Sequence, residues 1–136
     1  MRTVIAAVLM ALLQSGLPMR SLDKGPNSQI DMAKQVSAHT SDDWAKLWMQ
    51  HAGGRTRPSV DFNKEVVAAV FLGSRSTAGF AVEIVRARQD GVALVVSYKE
   101  TRPSPDSVAA QVLTSPYHIV AFPKGSTTDV KFERVD

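Results

Sequence analysis

The sequence has 136 residues, of which 44% are hydrophobic and 21% are charged, so it suits one compact domain and is not globally disordered. Its net charge of +3 includes no run of Lys or Arg, which argues against a nucleic-acid-binding protein. The absence of cysteine excludes disulfides, thiolate zinc sites and cysteine nucleophiles.

The first segment, residues 1–18, has the pattern of a signal peptide. Arg2 precedes an apolar stretch over 3–13, which is too short to span a bilayer because a spanning helix needs about 20 residues. The pattern predicts an exported protein, periplasmic, held in the cell envelope or secreted, with no stable membrane span once the signal is cleaved. A buried N-terminal helix is the alternative interpretation. The polar residues 19–29 that follow predict a flexible linker.

One amphipathic helix is predicted after Thr40, which can cap it. Four residues at i, i+3, i+4 and i+7 form its apolar face: Trp44, Leu47, Trp48 and His51. The pair Gly53-Gly54 ends the helix. Two tryptophans on one face favour a plug that packs the helix on a sheet, and a ligand platform is the alternative.

The rest of the chain alternates short apolar runs with turn signals at about ten-residue spacing. Strands are predicted at 30–37, 65–72, 80–88, 92–101, 108–113, 117–122 and 130–135. The dipeptide Asp90-Gly91 predicts a tight hairpin. The sequence therefore predicts a mainly β (α+β) domain over 30–136, an antiparallel β-sandwich or barrel-like domain with the one N-terminal helix packed on it.

A polar loop between two predicted strands is the first candidate for a partner-binding site. It consists of Arg75, Ser76, Thr77, Ala78, Gly79 and Phe80. The arginine projects a charge, the two hydroxyls can satisfy loop amides, and the glycine permits an unusual backbone angle or a close approach. An ordinary connection whose last residue begins the next strand's core is the equal alternative.

The second candidate segment is Thr114, Ser115, Pro116, Tyr117 and His118. The favoured interpretation is a structural corner held by packing of Tyr117, in which the serine caps a turn and the histidine faces solvent, and a binding role of the segment is the alternative. A small hydrolase that uses the serine and the histidine is the remote alternative, since nothing marks an orienting acid or an oxyanion hole. The histidines of the sequence show no ligand spacing, so no metal and no cofactor is predicted.

Three segments resemble, in order, the motifs of the PrcB C-terminal domain family. They are Val-Asp-Phe-Asn-Lys-Glu-Val-Val at 60–67, Gly-Ser-Arg-Ser-Thr-Ala-Gly-Phe at 73–80 and Thr-Ser-Pro-Tyr-His-Ile-Val at 114–120. The chain departs from the family's loop motif at Ser76, Ala78 and Phe80, where the family has proline, glycine and tyrosine. The resemblance covers residues 60–135.

This resemblance implies a function, because the family takes its name from a subunit of an exported serine-type protease complex. It implies an exported, non-enzymatic accessory domain with a protein partner such as a protease. The loop at 75–80 also resembles a loop of chagasin-type protease inhibitors, which implies inhibitor-like binding. The alternative function is an envelope assembly module that pairs through a sheet edge or its helix face.

Overall fold

A computed structural model describes residues 16–136, and residues 1–15 of the predicted signal peptide lie outside them. Within the described part the chain forms seven strands and one helix. These are β1 (Arg20–Gly25), β2 (Lys34–Ala38), α1 (Ser41–Ala52), β3 (Glu65–Phe71), β4 (Ala81–Asp90), β5 (Ala93–Thr101), β6 (Tyr117–Pro123) and β7 (Asp129–Arg134). Across residues 16–136, no helix has both the length and the apolar character that crossing a membrane requires.

The strands form two sheets, which confirms the mainly β, sandwich-like fold with one helix. The first sheet has the order β1-β6-β3-β2 and is antiparallel throughout. The second has the order β4-β5-β7. The antiparallel prediction is wrong at β7, which runs parallel to β5 with Asp129 opposite Ala93. The reason is the path of the chain: Thr128 donates a backbone hydrogen bond to Val92, so β7 starts beside the start of β5.

Strand β3 explains why the fold has three layers. Every residue after Glu65 in this strand is buried, as expected for a strand covered on both faces. Val67 and Phe71 pack towards α1, whereas Val66 and Val70 pack towards the second sheet. The first sheet is therefore the central layer between the helix and the second sheet.

Helix α1 is a plug, as the sequence favoured. The Thr40 hydroxyl caps it by accepting a hydrogen bond from the Asp43 N–H at 3.1 Å. Trp44 and Trp48 are only 2% and 5% exposed. Their indole N–H groups donate to backbone carbonyls in the segment after the helix, at 2.9 Å each. The buried rings exclude the ligand-platform interpretation.

The structure corrects the flexible linker predicted at 19–29. Residues Arg20–Gly25 form β1, which pairs with β6 from Ala121 to Tyr117. Polar side chains suit this strand because it lies at the edge of its sheet, while Leu22 packs against the core on the helix side. The folded domain thus begins before residue 30, and the strand predicted at 30–37 starts only at Lys34.

The strand predicted at 108–113 is also corrected, because this segment is irregular. Val108, Val112 and Leu113 are exposed rather than packed in a core. Pro103 and Pro105 precede the segment, and its pairing with the rest of the domain is limited to isolated contacts near Ala110 and Thr114. Apolar composition here marks a surface, not a strand.

Candidate protein-binding surface

The structure brings the two candidate segments together. Arg75 N–H donates to the Thr114 carbonyl at 2.7 Å, and Thr114 N–H donates back to the Arg75 carbonyl at 2.8 Å. The Thr114 hydroxyl donates to the Thr77 carbonyl at 3.1 Å, and Ala78 N–H donates to the Ala110 carbonyl at 3.0 Å. The loop is therefore tied to the connection between β5 and β6. We call residues 74–80 and 107–114 the paired-loop surface.

Arg75 helps to shape the loop from which it projects. Its Nη1 donates to the carbonyls of Leu72 at 2.9 Å and Ser74 at 3.2 Å, and its guanidinium lies 5.5 Å from the Phe80 ring centroid. Its Nε and Nη2 make no hydrogen bond within residues 16–136. A half-buried arginine with unused donors can bind a carboxylate or carbonyl of a partner.

Gly79 has the close approach and unusual backbone angle expected from the sequence. Its φ is +97°, and a Cβ placed there would lie 2.8 Å from Cβ of Pro103. A larger residue would push the loop and the connection apart. The glycine thus allows the loop to lie against Pro103, at the start of the connection between β5 and β6.

The apolar part of this surface was missed by sequence reasoning. Val108 is fully exposed and Leu113 is 74% exposed, with Val112 half exposed between them. Single exposed apolar residues are ordinary, but several on one short segment beside Arg75 are typical of a contact surface. The two prolines before this segment were the signal that could have identified it as a loop.

The second candidate segment is scaffold beyond Thr114. Ser115 is buried and bonded through its backbone to residues 26–28: its N–H donates to the Pro26 carbonyl at 2.7 Å, and its carbonyl accepts from Ser28 at 2.9 Å. Tyr117 is also buried and packs in the core beneath α1. The Pro116 carbonyl accepts from the Leu72 N–H at 2.9 Å. These contacts agree with the structural corner.

His118 does not face solvent, contrary to the sequence-based expectation. It is 4% exposed, because β6 is covered on both sides by the helix layer and the second sheet. Its Nδ1 accepts from the Ile84 N–H at 2.9 Å, so its Nε2–H donates to the Ser21 hydroxyl at 2.9 Å. Burial, followed by the positive charge of Lys24, lowers the pKa of His118 to about 4. The imidazole is neutral and structural.

The serine–histidine pair on which the remote hydrolase alternative depended is therefore not assembled. Both ring nitrogens of His118 are used by Ile84 and Ser21, and neither contacts Ser115. Among residues 16–136, no cluster of three or more acidic or histidine side chains could hold a metal ion. The described residues of this segment therefore form neither a serine–histidine nucleophile nor a metal site for hydrolysis.

A partly buried polar cluster around His51, beneath the end of α1, was not predicted at all. His51 Nε2–H donates to Asp23 Oδ2 at 2.8 Å, and His51 Nδ1 accepts from the Ser28 hydroxyl at 2.7 Å. Arg55 Nη2 donates to the same Asp23 oxygen at 2.7 Å. These residues come from β1, the following turn and the helix end, so no spacing in the sequence could bring them together.

Ser28, His51 and Asp23 are the residue types of a hydrolytic triad, but internal hydrogen bonds occupy the hydroxyl and the nearby backbone amides. The Ser28 hydroxyl also accepts from the Ile30 N–H at 3.0 Å, and the backbone N–H groups of Ser28 and Gln29 donate to Ser115 and His51. These two amides are thus unavailable as oxyanion donors. The cluster instead fastens the N-terminal strand to the helix.

The charges of the cluster follow from its burial. Burial is the largest effect on His51 and lowers its pKa, despite the opposing hydrogen bond to Asp23. Burial alone would raise the pKa of Asp23, but the hydrogen bonds from His51 and Arg55 outweigh it and lower the pKa. A neutral imidazole between a hydroxyl donor and a carboxylate acceptor satisfies every partner.

Fold and surface together define a small two-sheet β domain with one covering helix and an exposed paired-loop surface. Residues 66–123 match the family model described as PrcB C-terminal, which confirms the resemblance predicted from the sequence over this part of the chain. The match runs from β3 to β6 and includes the loop at 73–80 and the corner at 114–118. No curated protein and no solved structure matches the chain. The likeness to chagasin-type inhibitors stays a prediction.

Proposed function

We propose that this chain is a non-catalytic accessory subunit of a protease complex and that the paired-loop surface contacts its protein partner. The family match supports the accessory role, because the family is that of a protease-complex subunit. The signal-like pattern over 1–18 supports a location outside the cytoplasm.

The reciprocal backbone pair between Arg75 and Thr114 is the observation that carries the proposal. It holds a charged loop and an apolar connection side by side, with Leu113 next to the pair. A surface held in place before binding loses less conformational entropy when a partner docks. Polar donors beside exposed apolar side chains are the composition expected of a protein contact.

The same geometry favours docking over inhibitor-like insertion into a cleft. An inserting loop has to protrude, whereas this loop is bonded along its length at Arg75, Thr77 and Ala78. Its Phe80 is half-buried against Arg75. We therefore place the chain with assembly subunits rather than with inhibitors.

Affinity capture followed by reconstitution with the purified partner tests this function. The full chain is compared with Leu113→Asp, which puts a charge into the apolar part of the surface. Val92→Asp is the matched control, because Val92 is similarly exposed but lies in the β4–β5 hairpin. We expect a protease or its assembly factor to bind the unaltered chain and the control, and to lose binding to Leu113→Asp. Equal binding by all three chains would assign the contact to another surface, and capture without any protease component would refute the accessory role.

A further inference from the structure

In the described part of the chain, no strand pairs with the outer edge of β2. Strand β2 (Lys34–Ala38) is the last strand of the first sheet and pairs with β3 on its other side. In an antiparallel pair, alternate residues direct their backbone N–H and C=O groups away from the partner strand. Among residues 16–136, no hydrogen bond from another segment reaches that outer edge. An open edge of this kind can accept a further strand.

A groove runs beside this edge, between β2 and α1. Its volume is about 290 Å³. Its lining comes from both elements: Lys34, Val36 and Ser37 from the strand, and Asp43, Lys46, Leu47 and Gln50 from the helix. An added strand would place alternate side chains in this groove while its backbone pairs with β2. We call the free edge and this lining the β2–α1 groove.

The β2–α1 groove carries an excess of positive charge. Lys34 and Lys46 stand against the single acid Asp43, and none of these three forms a salt bridge within the described residues. Of the residues that the structure describes, the Lys34 ammonium is bonded to the Gln50 amide oxygen alone, at 3.4 Å, which is a weak contact. Both lysines are thus available to carboxylates.

The other three edge strands, β1, β4 and β7, have features that disfavour pairing with an added strand. The pairing of β1 shifts register between Ser21 and Asp23, and that of β4 shifts between Ile84 and Arg86. The chain before β1 also covers part of β4, because Leu17 N–H donates to the Ala87 carbonyl. Strand β7 alternates charges at 129, 131 and 133. Bulges and charges are the usual protection of edges against pairing, and β2 pairs with β3 in regular register.

We propose that the β2–α1 groove binds an extended acidic segment of a partner protein, which adds a strand to the first sheet beside β2. The backbone ladder supplies affinity, and the two lysines select for carboxylate side chains. A second copy of this chain fits less well, because it would bring its own Lys34 and Lys46 to the same groove. This binding site is distinct in its residues from the paired-loop surface.

Binding of two synthetic peptides to the full chain tests the proposal. In the first peptide valine alternates with glutamate, and in the second valine alternates with lysine. The glutamate peptide is also made in two N-methylated forms, each methylated at one of the two alternating sets of backbone nitrogens. Only one set faces β2 in a ladder, so we expect one methylated form to lose binding and the other to retain it. We expect the lysine peptide not to bind.

Charge reversal of the groove provides the protein-side test. Lys34→Glu with Lys46→Glu should weaken binding of the glutamate peptide about tenfold or more, whereas Lys64→Glu with Lys131→Glu, exposed and outside the groove, should not. Amide chemical shifts should change in Lys34–Ala38 and on the adjoining face of α1. No binding of the glutamate peptide, equal loss with both methylated forms, or dimerisation through this edge would overturn the proposal. Because Leu113→Asp leaves this groove intact, failure here is separate from failure of the proposed function.

Discussion

The backbone N–H of Ile84 on β4 donates a 2.9 Å hydrogen bond to Nδ1 of His118 on β6, which joins the two sheets through one side chain. The other ring nitrogen binds Ser21 on β1. Ile84 stands where β4 shifts register against β5, so its N–H is turned to the first sheet instead of completing a regular ladder. The imidazole satisfies the donor that this bulge leaves in the core.

Removal of this imidazole should destabilise the domain. In His118→Leu the Ile84 N–H stays buried without an acceptor, so we expect the free energy of unfolding to fall by about 1–3 kcal/mol. Urea denaturation at neutral pH measures this loss, and faster hydrogen exchange of the Ile84 amide locates it. His39→Leu is the matched control, since His39 is only half-buried and bonds the nearby Ser37. Equal stability of the two variants would show that the link between the sheets contributes nothing.

Acid should weaken the fold in a defined range of pH. The pKa of His118 is about 4 in the folded chain, whereas a histidine in the unfolded chain titrates near 6.5. Between these values the unfolded state binds a proton that the native state does not. The free energy of unfolding should therefore be fully retained above pH ~6.5 and fall by roughly 3 kcal/mol as the pH drops to ~4.

The contribution of His118 to this pH dependence can be distinguished from that of other titrating groups. The lowered pKa of His51 acts in the same direction, so part of the slope should persist in His118→Leu. Denaturation of both chains across this range measures the difference. A slope unchanged by the substitution would place the titration elsewhere in the molecule.

Gly79→Ala should push the loop at 75–80 away from Pro103, at the start of the connection between β5 and β6. The new Cβ meets Pro103 at 2.8 Å, and the φ of +97° disfavours any side chain. We expect a loss of more than about 2 kcal/mol in the free energy of unfolding. Gly91→Ala is the control, because its φ of +62° is also positive but open space surrounds it, so only the backbone cost of about 1–2 kcal/mol applies. Equal losses of unfolding free energy in the two variants would mean that Pro103 moves aside at no cost, which would contradict the close packing at Gly79.

Trp48→Ala should test the helix plug. The ring is 5% exposed, packs 5.5 Å from the Trp44 ring and donates to the Arg55 carbonyl, so we expect a loss of about 3–5 kcal/mol. Thermal unfolding followed by near-ultraviolet circular dichroism measures it. Met49→Ala, on the exposed side of the same helix, should change stability by less than about 0.5 kcal/mol. A small effect of Trp48→Ala would contradict the plug.

Several local elements were predictable because residues close together in the sequence determine each of them. The cap at Thr40, the buried run of β3 and the turn at Gly91 all follow from short-range rules, and the structure has each of them. β1 was not predictable, because it is polar and depends on β6, about a hundred residues further along the chain. Its pairing partner, not its composition, makes it a strand.

The candidate site was predicted in parts but not as a whole. The loop at 75–80 was identified as a surface feature, and its reciprocal pair with Thr114 could not be, since nothing in the sequence fixes that distance. His118 was misplaced because a histidine in an apolar strand usually faces water. Its burial is favourable because the bulge at Ile84 turns a backbone N–H towards the imidazole. A pattern of alternating apolar and polar residues does not reveal a bulge.

The strand order β1-β6-β3-β2 also constrains when the domain can fold. Strands β1 and β3 do not pair with each other through their backbones, because β6 lies between them and pairs Val120 with both Ser21 and Ala68. A chain growing from its N-terminus therefore holds β1, β2, α1 and β3 without the strand that unites them. Contacts this distant in sequence close slowly. The central sheet is completed only once β6 has joined it, so β1, β2 and β3 cannot reach their final arrangement before the second half of the domain is present.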